Sequence, residues 1–239
     1  MNARTGADPS MEPAADPAAE ASWVTAWTGD PEIVEEVIFS PSGGCRLPGI
    51  AFEDERPGDR DHHDVLLSRG RLPAMPGGRG KPRHGSMILN RQRRAMRPGR
   101  LLCQVTGNPA HRNAEGWLWL LPGTAAGRDN AWPEREFTAH PPVSLKGMAW
   151  ALRRDPELAE HSTAVRVRAP RLHGVMGDLW GRDLARPGFP FPVVVKKAVV
   201  VAYNDSDRLP WVLAEQRILY LGGCTITDIH AELAAAGEL

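Results

Sequence analysis

Two neighbouring segments of the sequence carry opposite charge. Residues 53–64 contain six acidic residues and two arginines, whereas residues 66–100 contain ten basic residues and no acidic residue. Such a basic block creates a positive potential that attracts phosphate or carboxylate groups. Arg91 and Arg94 share one face of a predicted helix, and Arg83 lies just upstream. Because guanidinium groups bind such anions bidentately, these three arginines are the predicted substrate-binding cations. A solvated helix face, or pairing with the acidic block, is the alternative.

The acidic segment also contains candidate proton-transfer groups. Glu53 and Asp54 directly follow the apolar segment 50–52. A carboxylate at the end of a buried strand can act as a general base, and repulsion among neighbouring carboxylates raises at least one pKa. His84, beside the predicted basic helix, is the third candidate catalytic residue. The alternative for the acidic residues is an exposed turn before Pro57.

Tryptophan dominates the aromatic residues, and Trp117 and Trp119 lie on a predicted buried strand. Two Pro/Gly-rich loops, residues 68–85 and 122–142, could close over a pocket that these residues line together with Trp132. An aromatic pocket beside an arginine-rich wall predicts a small anionic or aromatic substrate.

Familiar catalytic and metal-binding motifs are absent from the sequence. His62 and His63 are adjacent, and adjacent side chains of an extended segment point apart, so they do not predict a metal site. The GxSxG and HExxH motifs do not occur, which argues against hydrolysis by a known catalytic arrangement. We predict neither a metal ion nor a cofactor.

Several segments occur in an order that carries a resemblance. They are Ser40-Pro41, Leu47–Ile50, Phe52–Pro57, Arg91–Met96, Leu101–Val105, Trp117–Leu121, His140–Val143 and Trp211–Leu221. This order resembles a group of uncharacterised small proteins of high-GC Gram-positive bacteria that are often labelled phage-like.

The resemblance implies two CxxC pairs that together form a four-cysteine zinc site. At the corresponding positions this chain has Cys103 and Thr106 in the first pair, and Ser144 and Gly147 in the second. Hydroxyl groups are poor zinc ligands beside thiolates, and glycine has no side chain. The chain is therefore a divergent member for which we predict no structural zinc.

The hydrophobic patterns predict an α+β fold with a mixed, mostly antiparallel sheet, a few packed helices and long Pro/Gly-rich loops. The predicted strands are Ile33–Phe39 and Arg46–Phe52, which form a hairpin, then Trp117–Leu121, Thr163–Ala169, Val193–Tyr203 and Cys224–Ile229. The predicted helices are Met87–Arg97 with Ser86 as N-cap, Leu145–Arg153, which residues 156–161 could extend, and Asp207–Leu221. In the strand Thr163–Ala169, alternation turns Val165 and Val167 inward and Arg166 and Arg168 outward.

Composition limits the class of protein. The formal net charge is zero, which argues against a dedicated nucleic-acid-binding domain. Three widely separated cysteines fit a reducing cytoplasm. The sequence has no apolar run of about 18 residues and no signal-peptide pattern, so we predict neither a membrane span nor secretion. Residues 1–22 are predicted to be a disordered leader, and residues 23–239 a single domain.

Two functions of different kinds fit these features. The first is a small-molecule enzyme of specialised metabolism that catalyses an acid/base condensation or cyclisation, for example of the Pictet–Spengler type. The alternative is a non-enzymatic module that binds nucleic acid or protein and derives from a zinc-knuckle scaffold. The oligomeric state does not follow from the sequence.

Overall fold

Two four-stranded antiparallel sheets form the centre of the structure. The computed structural model describes residues 21–40, 48–71, 80–124, 128–155 and 157–237, except the side chain of His84. The strands are β1 (Thr25–Trp27), β2 (Val37–Phe39), β3 (Ile50–Phe52), β4 (Pro82–Met87), β5 (Arg112–Asn113), β6 (Gly116–Pro122), β7 (Phe137–Thr138), β8 (Ser162–Val167), β9 (Arg171–Gly181), β10 (Val193–Ala202), β11 (Val212–Tyr220) and β12 (Cys224–Thr227). The helices are α1 (Leu89–Ala95), α2 (Leu145–Arg154), α3 (Leu158–His161) and α4 (Ile229–Ala235), with a 3₁₀ turn at Leu209–Trp211.

The first large sheet has the strand order β10-β9-β11-β7 and the second has the order β12-β8-β6-β5. Two short pairs, β1-β4 and β2-β3, accompany them. The sheets meet where Leu219 and Leu221, at the end of β11, pack against Trp119 and Val165 of the second sheet. These antiparallel sheets and helices confirm the predicted α+β class. Within the described ranges, no helix is long and apolar enough to cross a membrane.

Several predicted elements are confirmed within a few residues of their predicted ends. Strands β2 and β3 pair as the predicted hairpin, with Val37 opposite Phe52. The predicted strands at 117–121, 163–169, 193–203 and 224–229 correspond to β6, β8, β10 and β12. The predicted helix 145–153 corresponds to α2, but α3 is separate rather than its extension.

The prediction of a helix over Asp207–Leu221 is wrong. The segment forms the 3₁₀ turn and then β11, which lies between β9 and β7. The register of β11 against β9 shifts after Ala214 and again after Ile218. Each shift breaks the two-residue alternation of a strand, so the apolar side chains acquire a spacing that imitates a helix.

Strand β9 was not predicted, although it is the longest strand described here. The glycines of β9 obscure its strand pattern in the sequence, because glycine has a low strand propensity. The structure explains two of them. A Cβ atom at Gly174 would collide with the carbonyl oxygen of Val201 on β10, and one at Gly177 with that of Leu213 on β11. Glycine therefore lets both neighbouring strands approach β9 closely.

The basic helix is shorter than predicted. Residues 82–87 form β4, which pairs with β1 and places Ser86 inside a strand, so the N-cap prediction is wrong. Helix α1 begins at Leu89 after Ile88. Within the predicted loop 68–85, residues 72–79 lie outside the described residues, as do residues 1–20 of the predicted leader.

The outward orientation predicted for Arg166 is also wrong, because its side chain has no exposed surface. It forms a two-pronged ion pair with Glu232 of α4, in which Nε donates at 2.7 Å. Helix α4 covers the face of β8 that the alternation assigned to solvent.

Strand β10 forms the open outer edge of the first sheet. Its register against β9 shifts twice, after Val194 and after Lys196. Ala198 has a φ of 50°, in the left-handed region that favours glycine. Lys196 and Lys197 are exposed on this strand. The edge is therefore irregular and charged.

Candidate functional site

Helix α1 places an arginine against the central strand β11. The Arg93 guanidinium donates to the carbonyl oxygens of Ser68 at 3.0 Å and Ala214 at 3.4 Å. Arg217 of β11 donates in turn to the backbone carbonyl oxygen of Arg93 at 2.9 Å. Both arginines are partly buried. We call Arg93 and Arg217 the arginine pair.

A buried glutamine holds the arginine pair in place. The Gln92 side chain has no exposed surface and bonds the backbone of Arg217 twice, donating at 2.9 Å and accepting at 3.0 Å. The same amide donates to the carbonyl oxygen of Ala139 at 2.7 Å. Gln92 thus satisfies the backbone of β11 between its two irregular points and fixes α1 to the strand.

The arginine pair has no carboxylate partner at ion-pair distance within the described residues. Burial, and then the positive charge of Arg217, lowers the pKa of Arg93 to about 10. The Arg217 Nε atom is buried and has no hydrogen-bond partner in the described part of the chain. Two like charges held together repel each other; the charges of Glu35 and Asp61 offset part of that cost from a distance, and a bound anion would relieve more of it.

Two acidic side chains lie near the arginine pair but are occupied by other contacts. Glu35 and Asp61 both act on Arg93 electrostatically. Glu35 accepts hydrogen bonds from the Ser68 hydroxyl at 3.1 Å and from the backbone amides of Arg69 and Gly70. The Arg93 guanidinium also donates to the Asn90 side chain, so the donors left for an external anion lie mainly on Arg217.

Tyr203, His63 and Asp61 form a second cluster beside the arginine pair. The Tyr203 hydroxyl donates to Asp61 Oδ2 at 2.7 Å, and the His63 ring stacks on the Tyr203 ring with a centroid distance of 3.8 Å. Asp61 Oδ1 accepts from the backbone amides of His63 at 2.9 Å and Val65 at 3.1 Å. The Asp61 carboxylate therefore holds Tyr203 through its hydroxyl and His63 through its backbone amide. We call Asp61, His63 and Tyr203 the acid/base cluster.

The surroundings shift the pKa values of this cluster in useful directions. Burial, followed by the hydrogen bond to Asp61, raises the pKa of Tyr203, so the phenol keeps its proton and remains a donor. Burial, followed by the charge of His62, lowers the pKa of His63, so its imidazole is neutral near pH 7 and can accept a proton. The charge of Arg217 acts on both groups, which shows that the cluster and the arginine pair are electrostatic neighbours.

A cleft of about 260 Å³ opens beside the acid/base cluster, and His63, Tyr203, Arg60 and Ser206 are among its lining residues. Contrary to prediction, the side chains of His62 and His63 do not point apart, and their ring centroids are 4.1 Å apart. The chain turns at this point rather than extending. Among the described side chains, no group of three or more His, Cys, Asp or Glu residues could hold a metal ion.

The predicted substrate-binding arginines lie on other parts of the surface. Arg91 donates to the carbonyl oxygen of Trp23 at 2.9 Å and lies 5.6 Å from its ring centroid. Arg94 is partly buried, and Arg83 is exposed on β4. Of the arginines of this helix, Arg93 is the one whose guanidinium reaches the backbone of β11, and the predicted anion site at Arg91 and Arg94 stays a prediction.

The predicted catalytic carboxylates are not gathered at the cleft. Glu53 is exposed beside Glu36, and the hydrogen bond and charge of Glu36 raise its pKa. Asp54 pairs with Arg69 at 2.8 Å and Arg56 at 2.5 Å, and the hydrogen bond from Arg69 lowers its pKa. Arg69 also pairs with Asp59 at 2.7 Å, so pairing between the two charged blocks occurs here. The His84 side chain lies outside the part of the chain that the structure describes.

The predicted aromatic residues belong to the core between the sheets. Trp119 is fully buried, and its Nε1 donates to the carbonyl oxygen of His140 at 2.8 Å. Trp117 packs on the same core beneath the Arg112 guanidinium, 5.2 Å from its ring centroid. Neither lines the cleft beside His63. Trp132 lines a different cleft on the other face of the first sheet.

Three of the four positions that the resemblance assigns to zinc cysteines, Cys103, Ser144 and Gly147, meet in space. A Cβ atom built on Gly147 would lie 2.6 Å from Cys103 Sγ and 3.1 Å from Ser144 Oγ. Ser144 Oγ accepts from the Gly147 amide at 3.1 Å and so caps α2. A hydroxyl cap and one thiol therefore occupy this junction, and the lack of zinc stays a prediction.

No protein family, curated protein or solved structure matches the chain. The function is therefore inferred from the geometry of the structure alone. Sequence reasoning missed Arg217 because the segment was read as a helix. It also missed Tyr203, although the chain has only two tyrosines and this one follows a strand directly.

Proposed function

We propose that the chain is a small-molecule enzyme that binds an anionic substrate at the arginine pair and moves protons with the acid/base cluster. One observation carries the proposal: Arg93 and Arg217 lie together, partly buried and without a carboxylate at ion-pair distance in the described structure, beside the hydrogen-bonded Tyr203 and Asp61. Cations in this situation are characteristic of anion sites, and shifted pKa values beside a cleft are characteristic of catalytic sites.

The reaction that this inventory supports best is an acid/base condensation or cyclisation. In a Pictet–Spengler closure, an arylethylamine and an aldehyde form an iminium ion and release water. The aromatic carbon then attacks the iminium carbon, a C–C bond forms, and the ring proton passes to a base. Neutral His63 is the proposed base, and the proton that it takes from the ring carbon balances the one that the departing hydroxyl takes from solvent as it leaves as water. Tyr203, whose hydroxyl donates to Asp61 and whose ring stacks on His63, is proposed to orient that base. The arginine pair holds a carboxylate or phosphate group of the aldehyde.

Binding of small anions tests the first half of the proposal. Calorimetric titration with glyoxylate and with glyceraldehyde 3-phosphate should show binding that Arg217→Gln weakens at least tenfold. Arg94→Gln removes the same charge from the same region and should leave the affinity within about twofold, because its effect is screened by solvent. Equal effects of the two variants would contradict the site.

Product formation tests the second half. The protein incubated with an arylethylamine and glyoxylate should accelerate appearance of the cyclised product, detected by mass spectrometry. His63→Gln should lower kcat about 10²-fold or more, the usual contribution of a general base. Tight binding of short DNA or RNA that falls steeply with salt, without binding of the small anions, would instead support a nucleic-acid module.

A further inference from the structure

A second cleft lies on the opposite face of the first sheet. Its volume is about 370 Å³, with Trp132 and Phe137 as aromatic walls and Met176 of β9 as part of its lining. Gln216 of β11 also lines it. Neighbouring residues of a strand point to opposite faces, so Gln216 faces this cleft while Arg217 faces the acid/base cluster. This cleft and the arginine pair therefore lie on opposite faces of β11.

Polar groups without protein partners surround this second cleft. The Glu136 carboxylate, the Gln216 amide and the His140 imidazole make no hydrogen bond or ion pair with any described residue. Glu136 and Gln216 are partly buried. A ligand in the cleft can therefore bind the Glu136 carboxylate and the Gln216 amide without displacing a protein partner.

The charges of the cleft indicate the kind of ligand. Arg128 is exposed, and its guanidinium stacks on the Trp132 ring at 4.9 Å from the centroid, so water solvates its charge. The Glu136 carboxylate is more buried than Arg128, and burial strengthens its field in the cleft. The aromatic walls favour a flat ring, and the carboxylate favours a cation.

We propose that this cleft binds a small aromatic compound that carries a protonated amine. The ring packs against Trp132 and Phe137, and the ammonium group pairs with Glu136 while donating to the Gln216 carbonyl oxygen. The second site does not depend on the proposed function at the arginine pair, and either can fail without the other.

A matched set of probes tests the proposal. The full-length protein is titrated by calorimetry at pH 7 with 2-phenylethylamine, 2-phenylethanol and 3-phenylpropanoate, which share a ring and differ in charge. The amine should bind at least tenfold more tightly than the alcohol or the acid. Saturating glyoxylate, directed to the arginine pair, should not displace it. Preference for the acid would assign the cleft to Arg128 and overturn the proposal, as would equal binding of all three.

Two substitutions locate the binding. Glu136→Gln should remove the tenfold preference for the amine, whereas Glu160→Gln, the same change at an exposed residue of α3, should leave it intact. Phe137→Ala should weaken all ring compounds together, and its side chain is 49% exposed, so folding should be preserved. Unchanged amine affinity in both Glu136→Gln and Phe137→Ala overturns the proposal.

Discussion

At the scale of single residues, Arg166 shows how a charge can be placed inside the second sheet. Its guanidinium is fully buried and pairs with Glu232, while a further nitrogen lies 2.9 Å from His111 Nδ1. Since Arg166 remains charged, His111 Nδ1 must be the acceptor and its Nε2 carries the proton. The three residues form a connected polar cluster whose members stabilise one another.

Removal of one partner should destabilise the protein strongly. Glu232→Gln leaves the Arg166 charge buried without its counter-charge, and loss of one partner of a buried pair costs about 3–5 kcal/mol. Urea denaturation should show a decrease of this order in the free energy of unfolding. The control, Glu160→Gln on α3, should change it by less than about 0.5 kcal/mol. A decrease below about 1 kcal/mol for Glu232→Gln would contradict the importance of the pair.

The same cluster should make stability depend on pH. Burial, followed by the charge of Arg166, lowers the pKa of His111 from its ordinary value of 6.5. Below about pH 6.5 the unfolded chain therefore binds a proton that the folded protein refuses, so stability falls as the pH falls. His111→Asn keeps an acceptor for Arg166 and removes the titration. Thermal unfolding between pH 7.5 and 5 should show a shallower loss for His111→Asn than for the wild type, and an identical loss would exclude His111 as the cause. His230→Asn, on α4, is the control.

At the scale of elements, one edge of β11 is covered by three different parts of the chain. Ser68 and Leu66 exchange backbone hydrogen bonds with Ala214, Gln92 binds the backbone of Arg217, and β7 pairs with Leu219 and Tyr220. A regular neighbouring strand would show a simple periodic pattern in the sequence. Three short partners from distant segments do not, because local periodicity carries no information about them.

The bridge made by Gln92 can be tested directly. Gln92→Leu introduces an apolar side chain of similar size. The backbone amide and carbonyl of Arg217 then lose their partners inside a buried strand. Each buried unsatisfied group costs about 1–3 kcal/mol, so chemical denaturation should show a loss of at least about 2 kcal/mol. Asn90→Leu, at an exposed position on the same helix, removes only the hydrogen bond from Arg93 to the Asn90 side chain and should cost far less. Small-anion binding should also weaken in Gln92→Leu, since Arg93 loses its anchored helix.

Elements with an uninterrupted local pattern were predictable, and elements formed by tertiary contacts were not. Strand β8 and helix α2 have clear alternation or amphipathic spacing, and both appear near their predicted positions. Strand β9 depends on glycines whose need arises from neighbouring strands, and β11 depends on register shifts. The candidate site followed the same rule. The charge pattern pointed to the basic helix, but the choice between Arg91, Arg93 and Arg94 depends on which face meets the sheet.

At the scale of the whole molecule, the amino-terminal segment joins the rest of the structure at Trp23. The Trp23 amide donates to the carbonyl oxygen of Val105 at 2.8 Å, and Val24 donates to that of Gln104 at 3.1 Å. Both side chains are buried with Leu102 in one cluster. Among the described residues, Trp23 is the first whose side chain is buried, and the boundary between leader and domain stays a prediction.

Deletion of residues 1–20 should leave the protein stable. The segment is rich in Ala, Pro and acidic residues and has no periodic apolar pattern. The free energy of unfolding, measured by thermal denaturation, should stay within about 1 kcal/mol of the wild-type value. Deletion through Val24 removes the buried Trp23 and should cost several times more, as loss of a buried tryptophan side chain costs about 3–5 kcal/mol. A large drop for the shorter deletion would show that the leader packs on the domain.

The irregular outer strand β10 governs how copies of this protein meet one another in a crowded solution. A straight, apolar sheet edge presents a continuous row of amide and carbonyl groups to which another chain can add. Here two register shifts, the left-handed Ala198 and the exposed Lys196 and Lys197 interrupt that row. Colliding edges thus find mismatched hydrogen bonds and like charges instead of a template. We therefore expect this edge not to template fibril growth, although it exposes Val195 and Val200.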